Sequence, residues 1–253
     1  MKHSTALSVN LNKIALIRNS REGNFPDVAE HGKICLNFGA DGLTVHPRPD
    51  QRHIRPHDVI DIAELLKDYP DREFNIEGNP FAESINHFPG FLSLVRSSLP
   101  DQCTLVPDNN QQLTSDQGFD LRISGEKLKP IINELHDLGI RVSLFMDPDK
   151  DQISMAKEIG ADRIELYTGP YAAAYKNADQ GESIFLKYLD AAIHAQKIGI
   201  GLNAGHDLNL QNLANFRRVP ELLEVSIGHA LTVEAISMGL EKTITQYIDL
   251  CRA

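Results

Sequence analysis

Histidines, glutamates and asparagines recur in this sequence at the polar end of short apolar runs. His46 closes GLTVH, Glu77 closes EFNIE, Glu165 sits inside RIELY, and Asn10 follows SV in ALSVNL. His206 and His229 each follow a glycine, in NAGHD and SIGHA. A carboxyl group withdrawn from water holds its proton to higher pH, and imidazole titrates near neutrality. Glutamates and histidines brought to one place therefore make a proton-transfer set.

Arginine supplies a second chemistry. Residues 1–55 carry eight Lys/Arg against five Asp/Glu, although the whole chain has 25 against 35. Arg18, Arg21, Arg48, Arg52 and Arg55 follow two apolar runs, and Arg48 and Arg52 lie in the proline-stiffened stretch HPRPDQRHI. A guanidinium fork matches phosphate or carboxylate by paired hydrogen bonds, so this stretch reads as an anion site. Some of these arginines are also placed to pair with Asp50, Asp58 or Asp61 on the surface.

The elements that position these groups are legible from period and punctuation. Expected strands are Ala6–Leu11, Gly42–His46, Glu73–Glu77, Gln102–Val106, Arg141–Met146, Arg163–Tyr167, Ile200–Ala204 and Glu224–Gly228. Each is short and bounded by Gly, Pro, Asp or Asn. Helical patterns at Ile131–Leu138, Ile153–Ile159 and Tyr188–Ile198 stop at Gly139, Gly160 and Gly199, after which a strand begins. Eight such units predict an α/β chain forming a single (β/α)8 (TIM) barrel domain over residues 1–253. A doubly wound sheet is the competitor, but neither G-x-G-x-x-G nor a P-loop is present.

In a barrel, alternate strand residues point inward and the C-terminal strand ends carry the active site. Parity turns Ser8 and Asn10, Thr44 and His46, Asn75 and Glu77, and Glu165 and Tyr167 inward. Asn10, His46, Glu77, Glu165, Asn203, His206 and His229 are then expected at one rim, which core packing explains poorly. The loops bearing Gly205 and Gly228 follow strands seven and eight, where backbone N–H groups commonly bind phosphate. His3, His31, His57, His87, His136 and His194 read as surface or partly buried side chains. The long connection Pro107–Arg122 reads equally as a lid or as a solvated excursion.

Composition is that of a globular chain, 42% hydrophobic and 24% charged, with enough length for a sizeable core. A net charge of −10 argues against nucleic-acid and anionic-membrane surfaces. Three scattered cysteines, Cys35, Cys103 and Cys251, read as reduced thiols, and MKHSTALSVN lacks a signal-peptide core. The expectation is a soluble cytoplasmic protein with no membrane partner.

The motifs SVNLNKIALIRNSR, GADGLTVHPRPDQRHI, FNIE, TLVPD, VSLFMDPD, RIELYTGPYA, LNAGHDL and EVSIGHA occur in that order. With them the chain resembles, nearly end to end, the pyridoxine 5′-phosphate synthase family of vitamin B6 biosynthesis. The resemblance implies a transferase-type, ring-closing condensation of 1-deoxy-D-xylulose 5-phosphate with 3-amino-2-oxopropyl phosphate, releasing phosphate and water. It implies no metal or organic cofactor, two small phosphorylated substrates and a homo-octamer. Carried over, His46 and Glu77 are acid–base residues, His206 is a proton donor and Glu165 stabilises transition-state charge. Asn10, Arg21, Gly228 and His229 match the aminooxopropyl phosphate site; Arg48, His53 and Thr114 match the deoxyxylulose phosphate site.

This chain departs from the family pattern at several points. Asn12-Lys13 stands where Asp-His is common, Asp207 where glycine often follows the histidine, and Tyr167 where histidine is frequent. Asn12, Lys13 and Asp207 are assigned to substrate binding with these differences in view, and Gly78–Pro100 is longer than usual. A divalent-metal barrel using His46, Glu77, Glu165, His206 and His229 as ligands is the alternative. A non-enzymatic phosphate binder is the third reading, and it has no need of Glu77 or Glu165.

Overall fold

A computed structural model describes residues 4–109 and 111–253. Eight parallel strands close on themselves in sequence order: β1 (Ala6–Asn10), β2 (Gly42–Val45), β3 (Glu73–Gly78), β4 (Gln102–Leu105), β5 (Arg141–Met146), β6 (Arg163–Tyr167), β7 (Gly201–Gly205) and β8 (Leu222–Ile227). The closing pair sets Ala6 against Glu224 and Val9 against Ile227. The expected (β/α)8 barrel is the fold. Strand ends differ from the expected ones by a few residues. Leu11 caps a helix rather than extending β1, and β8 starts at Leu222. His46 lies just past β2, on the turn.

Helices return the chain between strands: α1 (Asn12–Asn19) and α2 (Val28–Asn37), then α3 (Pro56–Leu66), α4 (Phe91–Ser98), α5 (Leu121–Asp137) and α6 (Lys150–Glu158). There follow α7 (Gly169–Ala174), α8 (Ala178–Ile198), α9 (Leu210–Phe216), α10 (His229–Met238) and α11 (Leu240–Arg252). Two helices are longer than their periodic patterns showed. In α5 the pattern is interrupted by Pro130, inside the helix. In α8 the periodic Tyr188–Ile198 is the second half, ended by Gly199 at φ +70°, a left-handed turn that glycine adopts without strain.

The main apolar core lies between the barrel and its helices. Leu7, Val9, Leu43, Val45, Phe74, Ile76, Cys103, Leu105, Val142, Leu144, Ile164 and Leu166 have the outward parity and are buried there. Inward positions are largely polar. Ser8 and Thr44 hydroxyls lie 2.6 Å apart, and Thr104 donates to Asn75 Oδ1 at 3.0 Å. Toward the N-terminal end, Arg141 donates to Gln102 Oε1 at 2.9 Å, Gln102 to Glu224 at 3.2 Å and Arg163 to Asn203 Oδ1 at 3.2 Å. Asn203 belongs to this lumenal network and not to the rim where parity alone put it. The closed network satisfies groups whose burial would otherwise be costly.

The turn after β2 is fixed from below by a buried ion pair. Arg18 and Asp58 meet through both terminal guanidinium nitrogens, one contact being 2.8 Å, with side chains 0% and 3% exposed. Arg18 also donates to the His53 carbonyl at 3.1 Å, Asn19 donates to it at 2.8 Å, and Asp58 accepts the Arg55 N–H at 2.7 Å. One carboxylate thus starts α3 and holds the arginine that holds the turn. Removing one partner of a buried pair leaves an uncompensated charge, which costs about 3–5 kcal/mol. Asp58→Ala is expected to lose that much unfolding free energy in urea titration, and Arg18→Met/Asp58→Leu to recover most of it. Equal stability of Asp58→Ala and the parent would contradict this account.

Candidate active site

At the C-terminal ends of the strands is a cavity of about 400 Å³. Its wall includes Asn10, Asn12, Lys13, His46, Arg48, His53, Glu77, Thr114, Glu165, His206, Asp207, Gly228 and His229. Of the fourteen residues expected from sequence, Arg21 is the one outside this wall; it is exposed just beyond α1. Arg52 lines the cavity, which places it with the site; Arg55 does not.

The floor is built by β1, β2, β3, β6 and β8. Asn10 donates to Glu77 Oε2 at 3.4 Å and accepts from the Asn12 N–H at 3.0 Å. Asn12 Oδ1 in turn accepts the His46 N–H at 2.9 Å, so the Asn-x-Asn pair that joins β1 to α1 anchors the end of β2. His46 Nδ1 is 3.8 Å from Glu77 Oε2, and Ser226 on β8 donates to Glu77 Oε1 at 3.3 Å. Glu165 lies deep, with Oε2 buried and without a hydrogen bond in the protein. Gly205 makes room for it: a methyl group there would sit 2.1 Å from Glu165 Oε1. Gly228 likewise lets the β8 end approach Asn10: a methyl group there would sit 3.0 Å from Asn10 Cβ.

Burial sets the charge of these groups. It pushes Glu77 up to about 8, with the Glu224 and Asp108 charges adding and the Ser226 bond opposing. It also raises Glu165 well above the usual carboxylate range, helped by Glu77 and Glu224. Burial lowers His46 to about 3, reinforced by Arg48 and Arg52, and His53 to about 3, reinforced by His46 and Arg48. At neutral pH the floor therefore offers protonated carboxyl groups beside uncharged imidazoles. Proton donors and acceptors face each other, an arrangement suited to general acid–base chemistry.

The connection from β4 to α5 crosses this mouth; Asn110 within it lies outside the described residues, as does His3 of the N-terminal segment. Arg48 contacts Asp108 and donates to the Gln112 carbonyl at 2.9 Å. Arg52 donates to the Gln112 carbonyl at 2.8 Å and to that of Leu113 at 3.1 Å. On the far side Thr114 Oγ1 is 2.9 Å from His206 Nε2. The loop is thus strapped between the arginine turn and the β7 end.

Asp207 turns its carboxylate toward the imidazole rather than into the cavity floor. Its Oδ2 is 3.2 Å from His206 Nδ1, too poorly aligned for a hydrogen bond but close enough for electrostatic attraction. His206 holds Asp207 below the usual carboxylate range, with His229 and Lys13 adding to it. His206 and Asp207 have φ of +82° and +60°, left-handed values that cost energy for residues other than glycine. The Tyr167 ring packs edge-on to His206 with centroids 5.1 Å apart.

Sequence reasoning missed Asp108, Ser115, Ser226 and Phe145, all in the cavity region. Ser226 had the inward parity of β8 and Phe145 that of β5, the signal used for the others. Asp108, in the turn after β4, and Ser115, in the loop beyond it, carried none. Among the described residues, no three His, Cys, Asp or Glu side chains are grouped to hold a metal ion. Nor is any described helix long and apolar enough to cross a membrane.

Fold and site together define a (β/α)8 barrel with its functional groups at the C-terminal mouth. Solved structures agree on the fold: a tryptophan synthase α-subunit from Pyrococcus furiosus superposes with TM-score 0.62 at 11% identity, covering 99% of each chain. Phosphoribosylanthranilate isomerase from Thermotoga maritima gives 0.55 at 12% identity, covering 98% of each. The chain belongs to the family of pyridoxal phosphate biosynthesis protein PdxJ, whose model matches residues 7–253. A pyridoxine 5′-phosphate synthase of Xanthomonas campestris pv. campestris is 53% identical over 248 residues, 98% of this chain and 96% of that protein. The synthase of Albidiferax ferrireducens is 49% identical, over 97% and 96%.

The raised Glu77 has a consequence for stability. Unfolded, its carboxyl ionises near 4.5; folded, it keeps its proton to about 8. Between these values the unfolded chain binds fewer protons, so this group lowers stability as pH rises through the window. Glu77→Gln has no such dependence. Urea titrations are expected to show the variant gaining on the parent between about pH 4.5 and 8, and a constant difference would refute the buried neutral carboxyl.

Proposed function

We propose that this protein is a pyridoxine 5′-phosphate synthase that condenses 1-deoxy-D-xylulose 5-phosphate with 3-amino-2-oxopropyl phosphate, a transferase-type ring closure releasing phosphate and water. The observation that carries the reading is the site itself. Neutral Glu77 and Glu165 and uncharged His46 share one cavity with Arg48, Arg52 and Lys13. Imine formation, dehydration, phosphate elimination and ring closure each move protons, and two phosphorylated substrates need cations and backbone N–H donors. Synthases about half identical over nearly the whole chain support the same reaction.

In this reading His46 and Glu77 exchange the protons of the early steps. His206 donates a proton from the β7 side, and Glu165 stabilises transition-state charge. Arg48, His53 and Thr114 hold the deoxyxylulose phosphate, with Asn12 and Lys13 beside its carbonyl end. Gly228 and His229, at the start of α10, offer the second phosphate a helix N-terminus. Asn10 and Asp207 face the amino ketone, Asp207 with the charge to attract its ammonium. Arg21, exposed just beyond α1, is assigned to the aminooxopropyl phosphate, and the proposed assembly is a homo-octamer. No resident metal or organic cofactor enters the proposal, and the cytoplasm is the proposed location.

The test is phosphate release by the purified protein. Release is expected with both substrates together and with neither alone. Glu77→Gln and His206→Ala are expected to lower kcat about 10²–10⁴-fold while shifting KM much less. No phosphate with both substrates present, beside a working synthase, would overturn the assignment.

A further inference from the structure

Asp108 was not among the residues expected at the site, yet one of its oxygens joins three others there. Oδ2 accepts from Arg48 Nη2, accepts from Ser115 Oγ at 3.0 Å, and lies 3.3 Å from His46 Nε2, an electrostatic contact outside hydrogen-bond geometry. The carboxylate is buried, 6% exposed, as are His46 and Arg48. Asn79 Nδ2 donates to the Asp108 carbonyl at 2.6 Å, fixing the backbone beneath it. An oxygen receiving N–H and O–H donors from two sides is an acceptor, and a guanidinium does not give up its proton.

Neutral imidazole carries one proton and must place it on one of its two nitrogens. The groups around the His46 ring are Asp108 on the Nε2 side, Glu77 on the Nδ1 side, and Arg48, Arg52 and His53 from its own turn. A bare Nε2 would set its lone pair against the Asp108 oxygen. Glu77, at 3.8 Å from Nδ1, competes weakly because its carboxyl is neutral at pH 7. We propose that Asp108 is a positioning residue that holds His46 as the Nε2–H tautomer, leaving the Nδ1 lone pair toward Glu77 and the cavity. The mechanistic part of this rests on the function proposed above.

Its chemical consequence is definite. Nδ1 takes the proton, from Glu77 or from substrate, and the imidazolium so formed keeps Nε2–H against the Asp108 carboxylate. The negative charge of Asp108 then stabilises a cation that burial and two arginines otherwise oppose. Returning the proton from Nδ1 restores the resting tautomer, so one nitrogen serves both directions.

Long-range ¹H–¹⁵N correlation spectra of ¹⁵N-histidine-labelled full-length protein read the tautomer directly, with His46→Gln identifying the signal. In the parent at pH 7, His46 is expected as Nε2–H. In Asp108→Ala the Nδ1–H population is expected to rise at least tenfold; in Asp108→Asn the tautomer is kept because the amide oxygen still accepts. With both substrates, Asp108→Asn is expected to lower kcat at least tenfold and KM by a smaller factor, and Asp108→Glu to recover part of kcat. An Nδ1–H signal in the parent, or an unchanged tautomer in Asp108→Ala, would overturn the proposal. If Asp108→Ala does not fold, the parent spectrum and the Asp108→Asn kinetics still decide it. Because the spectra need no turnover, the tautomer assignment stands or falls separately from the reaction.

Discussion

Glu77 on β3 and Glu165 on β6 are withdrawn from water at the floor of one cavity, and the rest of the site is organised around the cost of keeping them there. A carboxylate buried without a counter-ion would be expensive, so both hold their protons well above the usual range. Histidines nearby respond to the same desolvation in the opposite sense and lose theirs. One physical cause therefore produces both halves of a proton-transfer set. The dielectric of the cavity, more than any single contact, sets the proton state of these side chains.

Positive charge is treated differently. Arg48 and Arg52 cannot shed their protons, so the protein surrounds them with acceptors: Asp108, Asp50 and the carbonyls of Gln112 and Leu113. The arginines thus stay charged, ordered and beside the cavity. The turn that carries them is held from below by Arg18 and Asp58, a pair whose bonds reach the His53 carbonyl and the first turn of α3. A structural ion pair and a functional cation cluster are therefore linked through a few residues of backbone.

The lumen of the barrel explains how so many polar groups are tolerated. Arg141, Gln102, Glu224, Arg163 and Asn203 satisfy one another beneath the floor, while the apolar load is carried outside the strands against the helices. Rigid strands packed this way present side chains at their C-terminal ends with little freedom to relax. Left-handed backbone at His206 and Asp207 persists because both ends of the loop are held: Thr168 bonds the Gly205 carbonyl, and Asn212 bonds that of Asp207.

Much of this is legible in the sequence alone. Strand-length apolar runs, the glycines that end helices and the alternation of inward and outward residues gave eight βα units. They also placed Asn10, His46, Glu77 and Glu165 correctly, because parity and closure are properties of the local chain. Family resemblance supplied the substrates proposed here, which parity could not. Pattern failed where the deciding contact is long-range. Asn203 had the right parity but the wrong depth, since depth depends on strand tilt around the closed barrel. Asp108 looked like an ordinary turn residue until the β4 loop was laid across the β2 arginines, 60 residues away in sequence. Asp207 carried a charge whose sign argued against a phosphate neighbour, and only its direction toward His206 resolved that. Residue type and period are written along the chain, whereas depth, direction and proton state arise from which distant groups share a small volume without water.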